Sequence, residues 1–162
     1  MDSSTSLDSV IPDLGMLGLA DPHARAITPR PPTIGQLAAR IHDLAARPGD
    51  WWHLVRFDPA VLVRIPLDET AGVGIWLTTW PPGGRTDLHD HSGAEVMALM
   101  GGELVEINIG PGGVTERALR AGRLRVHGGG HTHELHNPGR AYALTLCAHL
   151  TAGRTAEVVS GS

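Results

Sequence analysis

The chain has 162 residues, 41% of them hydrophobic, and a formal net charge of -4 at pH 7. That length suits one domain with a real core and leaves little room for a second. All thirteen basic side chains are arginine and none forms a run, which argues against tracking along a nucleic-acid backbone; no apolar stretch approaches the roughly 20 residues of a membrane span. The N-terminus opens with acid and serine rather than a basic patch before an apolar stretch, so a secretory signal is not indicated. The single cysteine, Cys147, cannot form an internal disulfide, and a reducing cytoplasm is its natural compartment. Abundant glycine and proline, with scarce phenylalanine and tyrosine, suit a mainly β chain of short strands.

In chain order, residues 1–32 read as a flexible arm, Ser/Asp-rich and then Pro-rich, with a weak apolar patch at Val10 to Leu19. Residues 33–57 read as a helical lead-in. Thr33 caps a helix over Thr33 to Arg47, in which Ile34, Leu37, Ala38, Ile41, Leu44 and Ala45 share one face and Pro48-Gly49 stops the run. Trp51 to Phe57 is a second short helical or irregular stretch. From residue 58 to 162 the pattern is that of a single β barrel or sandwich. Strands are expected over Val61–Ile65, Val73–Trp80, Asp87–His91, Val96–Met100, Glu103–Ile109, Arg117–Leu119, Arg123–Val126, His133–His136 and Ala141–Leu150. In the second of these, Val73, Ile75 and Leu77 face one way and Gly74, Trp76 and Thr78 the other. Gly110 to Gly113 reads as a hairpin turn.

Seven of the ten histidines lie from His89 onward. His89 and His91 are two apart, so in a strand both side chains aim at one point. His133, from a distant strand, would complete a half-shell of imidazole nitrogens able to hold a divalent transition metal with positions left open. His131 shares the parity of His133 and competes with it for the third place. Asp90 alternates outward, Asn137 suits loop backbone satisfaction, and His23, His42, His53, His127 and His136 read as ordinary side chains. Thiolate-free, imidazole-rich ligation suits iron, manganese, nickel or zinc and does not select among them.

Around these residues Gly83, His89, His91, Glu95 and Gly102, then Gly122, His133 and Asn137, are spaced as in the two motifs of the cupin superfamily, with Gly128 at the usual proline. The chain resembles that superfamily, which implies a double-stranded β-helix (jelly-roll) barrel preceded by the short helical segment. It also implies Glu95 as a fourth, anionic ligand. Trp76 to His91, Gly102 to Glu106 and His133 to Asn137 further resemble the cysteine dioxygenase (thiol dioxygenase) family over roughly residues 50 to 150.

That resemblance implies ferrous iron on three histidines, and a small thiol carboxylic acid oxidised by dioxygen to its sulfinic acid. Arg64 stands where the family arginine pairs with the substrate carboxylate. The chain departs from the family's Ser-x-His-x-Tyr run, having Thr145-Leu146-Cys147-Ala148-His149. Thr145 replaces the serine hydroxyl, and His149 takes the tyrosine's place, with a pKa suited to neutral pH. Trp80 joins these two around the site. Glu95 falls where thiol dioxygenases carry no carboxylate. Two alternatives stay open: other chemistry on a three-histidine, one-glutamate metal (dicarbonyl or enediol oxygenation, or isomerisation), and a non-catalytic small-molecule module stabilised by its metal. The expected partners are a small molecule and dioxygen, with no nucleic acid and no membrane; a homodimer through exposed strands is open.

Overall fold

The structure, a computed structural model, describes residues 30–70 and 72–150. The described residues from Pro31 onward belong to one compact unit. The arm expected over 1–32, with its apolar patch, lies outside the described residues except for 30–32.

Helix α1 spans Ile34–Ala46. Thr33 caps it reciprocally: the Gln36 N–H donates to Thr33 Oγ1 at 3.2 Å, and the Thr33 N–H donates to Gln36 Oε1 at 2.8 Å. Two single 3-10 turns follow, at Pro48–Asp50 and Trp52–Leu54. The indole N–H of Trp51 donates to the Leu44 carbonyl at 2.8 Å and folds this segment back on the helix.

Nine strands complete the unit: β1 Val63–Thr70, β2 Val73–Trp80, β3 His89–Asp90, β4 Glu95–Gly101, β5 Val105–Gly110, β6 Gly113–Ala118, β7 Leu124–His127, β8 Thr132–His136 and β9 Ala143–Leu150. They form a five-stranded sheet, β1-β2-β9-β4-β7, and a four-stranded sheet, β3-β8-β5-β6. Every pairing is antiparallel. Three expectations need correcting. The strand expected over Asp87–His91 is only β3, His89–Asp90, so His91 lies just past its end. β1 runs past Ile65 to Thr70, because β1 is an edge strand where Pro66 lacks no needed donor, and the register shifts between Pro66 and Asp68. β6 starts directly after the Gly110–Gly113 turn, four residues before the expected Arg117.

The central strands β2, β4 and β9 of the five-stranded sheet are buried on both faces, so β2 is almost continuously buried. Leu37 and Ile41 of α1 cover one face, against Ile75, Leu77, Val96, Leu146 and Ala148. Each of those two helix side chains is fully buried, worth about 1.5–3 kcal/mol apiece. The opposite face looks into the space between the sheets, where Trp80, Met97, Leu99, Leu104, Leu135, Ala143 and Cys147 pack together. Among the described residues no helix is long and apolar enough to cross a membrane.

Candidate metal centre

Register brings the polar residues of the inner face together. Gly74, His149, Glu95 and His127 lie side by side across β2, β9, β4 and β7. On the facing sheet His89 pairs with His133, and His133 pairs with Asn108. Nε2 of His91 and Nε2 of His133 face each other at 2.8 Å. Nδ1 of His91 is 3.6 Å from Glu95 Oε2. One donor atom each from His91, Glu95, His127 and His133 lies within 4.8 Å of the others. The ring of His89 stands against this group, with centroids 5.0 Å from His91 and 4.8 Å from His133, although its nitrogens fall outside the closest set.

The tautomers suit metal binding. His89 Nδ1–H donates to the Asp87 carbonyl at 2.8 Å, and His133 Nδ1–H donates to Glu106 Oε1 at 2.9 Å. In a neutral imidazole that leaves an Nε2 lone pair on each ring. Two Nε2 atoms converging beside a buried carboxylate are an arrangement that an ion satisfies better than the side chains satisfy one another. The residues therefore fit a divalent transition metal.

Electrostatics agree. Burial would raise the carboxyl of Glu95, but contact with His127 and the neighbouring His91 and His133 outweighs it and holds the group below the usual carboxylate range. Glu106 behaves likewise: burial opposes ionisation, yet His127, His133 and Arg125 keep it well below that range. Burial lowers His91 and so favours its neutral, ligating form. His127 is raised: burial works against the charge, but Glu106 and Glu95 on either side prevail.

Two members of this cluster were not expected. His127, read as an ordinary side chain, is 1% exposed, with Nδ1 3.3 Å from Glu95 Oε1. Glu106 is 0% exposed and pairs with Arg125 at 2.9 Å. Both occupy inward positions: on β7 the apolar residues point out, and on β5 Glu106 is buried beside a buried Val105. On β7, Leu124 and Val126 are 40% and 43% exposed while His127 is buried. On β5, Ile109 is exposed while Glu106 is buried. Hydrophobic parity therefore points the wrong way on β7 and is broken on β5, and the signal left in the chain is a carboxylate and an arginine at inward-compatible positions.

The remaining candidates spread around the cluster. Arg64 on β1 places its guanidinium carbon 5.5 Å from the Trp76 ring centroid. The His149 ring lies parallel to the same indole, with centroids 6.2 Å apart and 4° between the planes. Gly74 makes the room: a Cβ there would lie 2.9 Å from Trp76 Nε1 and 3.2 Å from His149 Cε1. Burial lowers the pKa of His149. Thr145 does not face the cluster as a free hydroxyl; its Oγ1 accepts the Trp80 indole N–H at 3.0 Å, and both are buried. Burial pushes the Cys147 thiol far up. Asn137 donates its amide to the Trp80, Pro81 and Ala141 carbonyls, as its loop position suggested. Asp90 is exposed. A cavity of about 570 Å³ opens beside Met97 and Leu99, and Arg117, Arg120, Arg123 and Arg125 line it.

The sequence profile of the family described as cysteine dioxygenase type I matches residues 33–137. The chain belongs to that family. No curated protein sequence matches it. Among solved structures, a cupin domain from Bordetella pertussis is 22% identical with a TM-score of 0.50, covering 60% of this chain and 100% of its own. A Klebsiella pneumoniae protein with a double-stranded β-helix domain is 22% identical with a TM-score of 0.53, covering 62% of this chain and 86% of its own. An oxalate oxidase in complex with the substrate analogue glycolate is 26% identical with a TM-score of 0.50, covering 58% of this chain and 53% of its own. The barrel is thus a cupin, and a cysteine dioxygenase-family member whose interior carries a histidine and glutamate cluster able to hold a metal.

Proposed function

We propose that the protein is an iron-dependent dioxygenase that converts a small thiol carboxylic acid to its sulfinic acid, adding both atoms of dioxygen to sulfur. The convergence of His91 and His133 on one point, with His89 beside them, carries the proposal. In it, these three imidazoles hold the ion and Glu95 serves as an anionic neighbour or fourth ligand. Ferrous iron at such a site would supply a thiolate-binding, redox-active centre that lowers the thiol pKa.

The other residues divide the remaining work. Arg64 offers a fork of donors to the substrate carboxylate, backed by the Trp76 ring. His149 is held neutral near pH 7 by burial and can accept the thiol proton. Cys147, its thiol pKa raised by burial, stays protonated and does not compete as a thiolate. Trp80 and Thr145, tied to each other, fix the wall of the site. Met97, Leu99 and Leu135 keep the interior dry.

Oxygen uptake by the iron-loaded protein with cysteine or 3-mercaptopropionate, followed by mass analysis for a product two oxygens heavier, tests this. No uptake above a His91→Ala control would remove it. A second reading, oxidation of a small oxygen-bearing carboxylic acid, is favoured by the buried Glu95 in the closest donor set and by the likeness to oxalate oxidase. Turnover of oxalate or glycolate with manganese and without any thiol would select it.

A further inference from the structure

A second group of donors overlaps the first: Glu106 and His131 join His127 and His133, which belong to both groups. We infer that Glu106, His127 and His131 hold a second divalent transition-metal ion, of the nitrogen- and oxygen-preferring class that includes zinc, manganese and iron.

The geometry around one carboxylate oxygen carries this. Nε2 of His127 lies 2.6 Å from Glu106 Oε1, and Nε2 of His131 lies 3.2 Å from the same atom. The His127 side chain is 0% exposed, and its Nε2 makes no hydrogen bond despite that short separation. His131 Nε2 and His133 Nδ1 each meet that oxygen within hydrogen-bond distance, at 3.2 and 2.9 Å, so of the three imidazoles around it only His127 is left without a partner at the facing nitrogen. An unsatisfied buried polar atom is costly, and a cation there would satisfy it. Arg125 occupies Oε2 of Glu106, which leaves Oε1 turned toward the imidazoles. Two imidazoles and one carboxylate form a recognised open ligand set for divalent metals. His131, with 29% of its side chain exposed, provides the way in.

The tautomers make the two groups reciprocal. If His127 binds through Nε2, its Nδ1–H is the donor to Glu95 Oε1 at 3.3 Å. If His133 binds through Nε2, its Nδ1–H is the donor to Glu106 Oε1 at 2.9 Å. Each carboxylate then belongs to one ion and orients a histidine of the other. Such carboxylate–histidine–metal chains fix ring orientation and raise ligand basicity. No nitrogen serves twice.

The test counts ions and needs no turnover, so its outcome is independent of the thiol proposal. The full chain is loaded with zinc, desalted and analysed for metal per protein. The wild type should carry two ions, and His131→Ala and His91→Ala one each. One ion in the wild type, or an unchanged count in His131→Ala, overturns the inference. Circular dichroism checks that the variants fold, with His131→Gln as the milder change. Anomalous diffraction from zinc-loaded wild-type crystals depends on no variant: two peaks, one beside Glu106, His127 and His131, are expected, and a single peak overturns the inference.

Discussion

Replacing Glu106 with glutamine keeps the shape and removes the charge at the centre of the buried network. In the native chain Oε1 accepts the His133 Nδ1–H and Oε2 accepts Arg125, both at 2.9 Å. Glutamine has one acceptor oxygen, so it can serve His133 or Arg125 but not both. If the oxygen stays with Arg125, the amide N–H faces His133 Nδ1. The ring then moves its proton to Nε2 and loses the lone pair that converges with His91. Loss of such an orienting carboxylate costs about 10–100-fold in metal affinity, or about 1.4–2.8 kcal/mol at 1.4 kcal/mol per decade. If the oxygen turns to His133 instead, Arg125, 28% exposed, loses its charged partner; the metal-free fold then weakens by about 1–3 kcal/mol. The measurement is zinc competition against a chromophoric chelator, paired with urea unfolding of the metal-free protein. Both are done in a His131→Ala background so that only the ion near His91 and His133 is followed. Affinity within threefold of the parent together with an unchanged unfolding midpoint would refute the role given to Glu106.

Arg64→Ala should raise KM for the thiol acid about 10–100-fold with a smaller change in kcat, since charge-assisted hydrogen bonds contribute about 1.5–3 kcal/mol; steady-state oxygen uptake reads this, and an unchanged KM rejects Arg64 as the carboxylate partner. Thr145→Val leaves the buried Trp80 indole N–H without its acceptor, which should cost about 1–3 kcal/mol in urea unfolding, while Thr145→Ser should lose much less; equal losses would show that the methyl group, not the hydroxyl, matters. Metal-free protein should lose stability toward acid. His91 and His149, lowered by burial, stabilise the fold above about 6.5 and give this up as pH falls through their depressed values, with the raised His127 opposing them. Below about pH 4.5 the lowered carboxyls of Glu95 and Glu106 add their own loss as they protonate. The unfolding midpoint should therefore drop more steeply below pH 4.5, and less steeply in Glu106→Gln; a midpoint flat across that range would contradict the assignment.

Much of this protein is written locally. Apolar spacing over Ile34 to Ala45, a threonine before it and Pro48-Gly49 after it specify α1, because helix faces and caps depend on residues three and four apart. Turn chemistry at Gly110 to Gly113 sets the hairpin of β5 and β6, and the short spacing of His89 and His91 keeps their rings together, 5.0 Å between centroids, although His91 lies past the end of β3. The spacing of these histidines and of Glu95 also sufficed to place the chain in its superfamily. What the linear order could not decide is which way β5 and β7 face. On β7 the apolar residues turn outward while Arg125 and His127 turn in, and on β5 Glu106 is buried beside Val105, because the two sheets together supply partners for these charges. Burying a carboxylate is unfavourable until an arginine and three imidazoles from other strands surround it. That company exists only once residues as far apart as Glu95, Glu106 and His133 have been packed against one another.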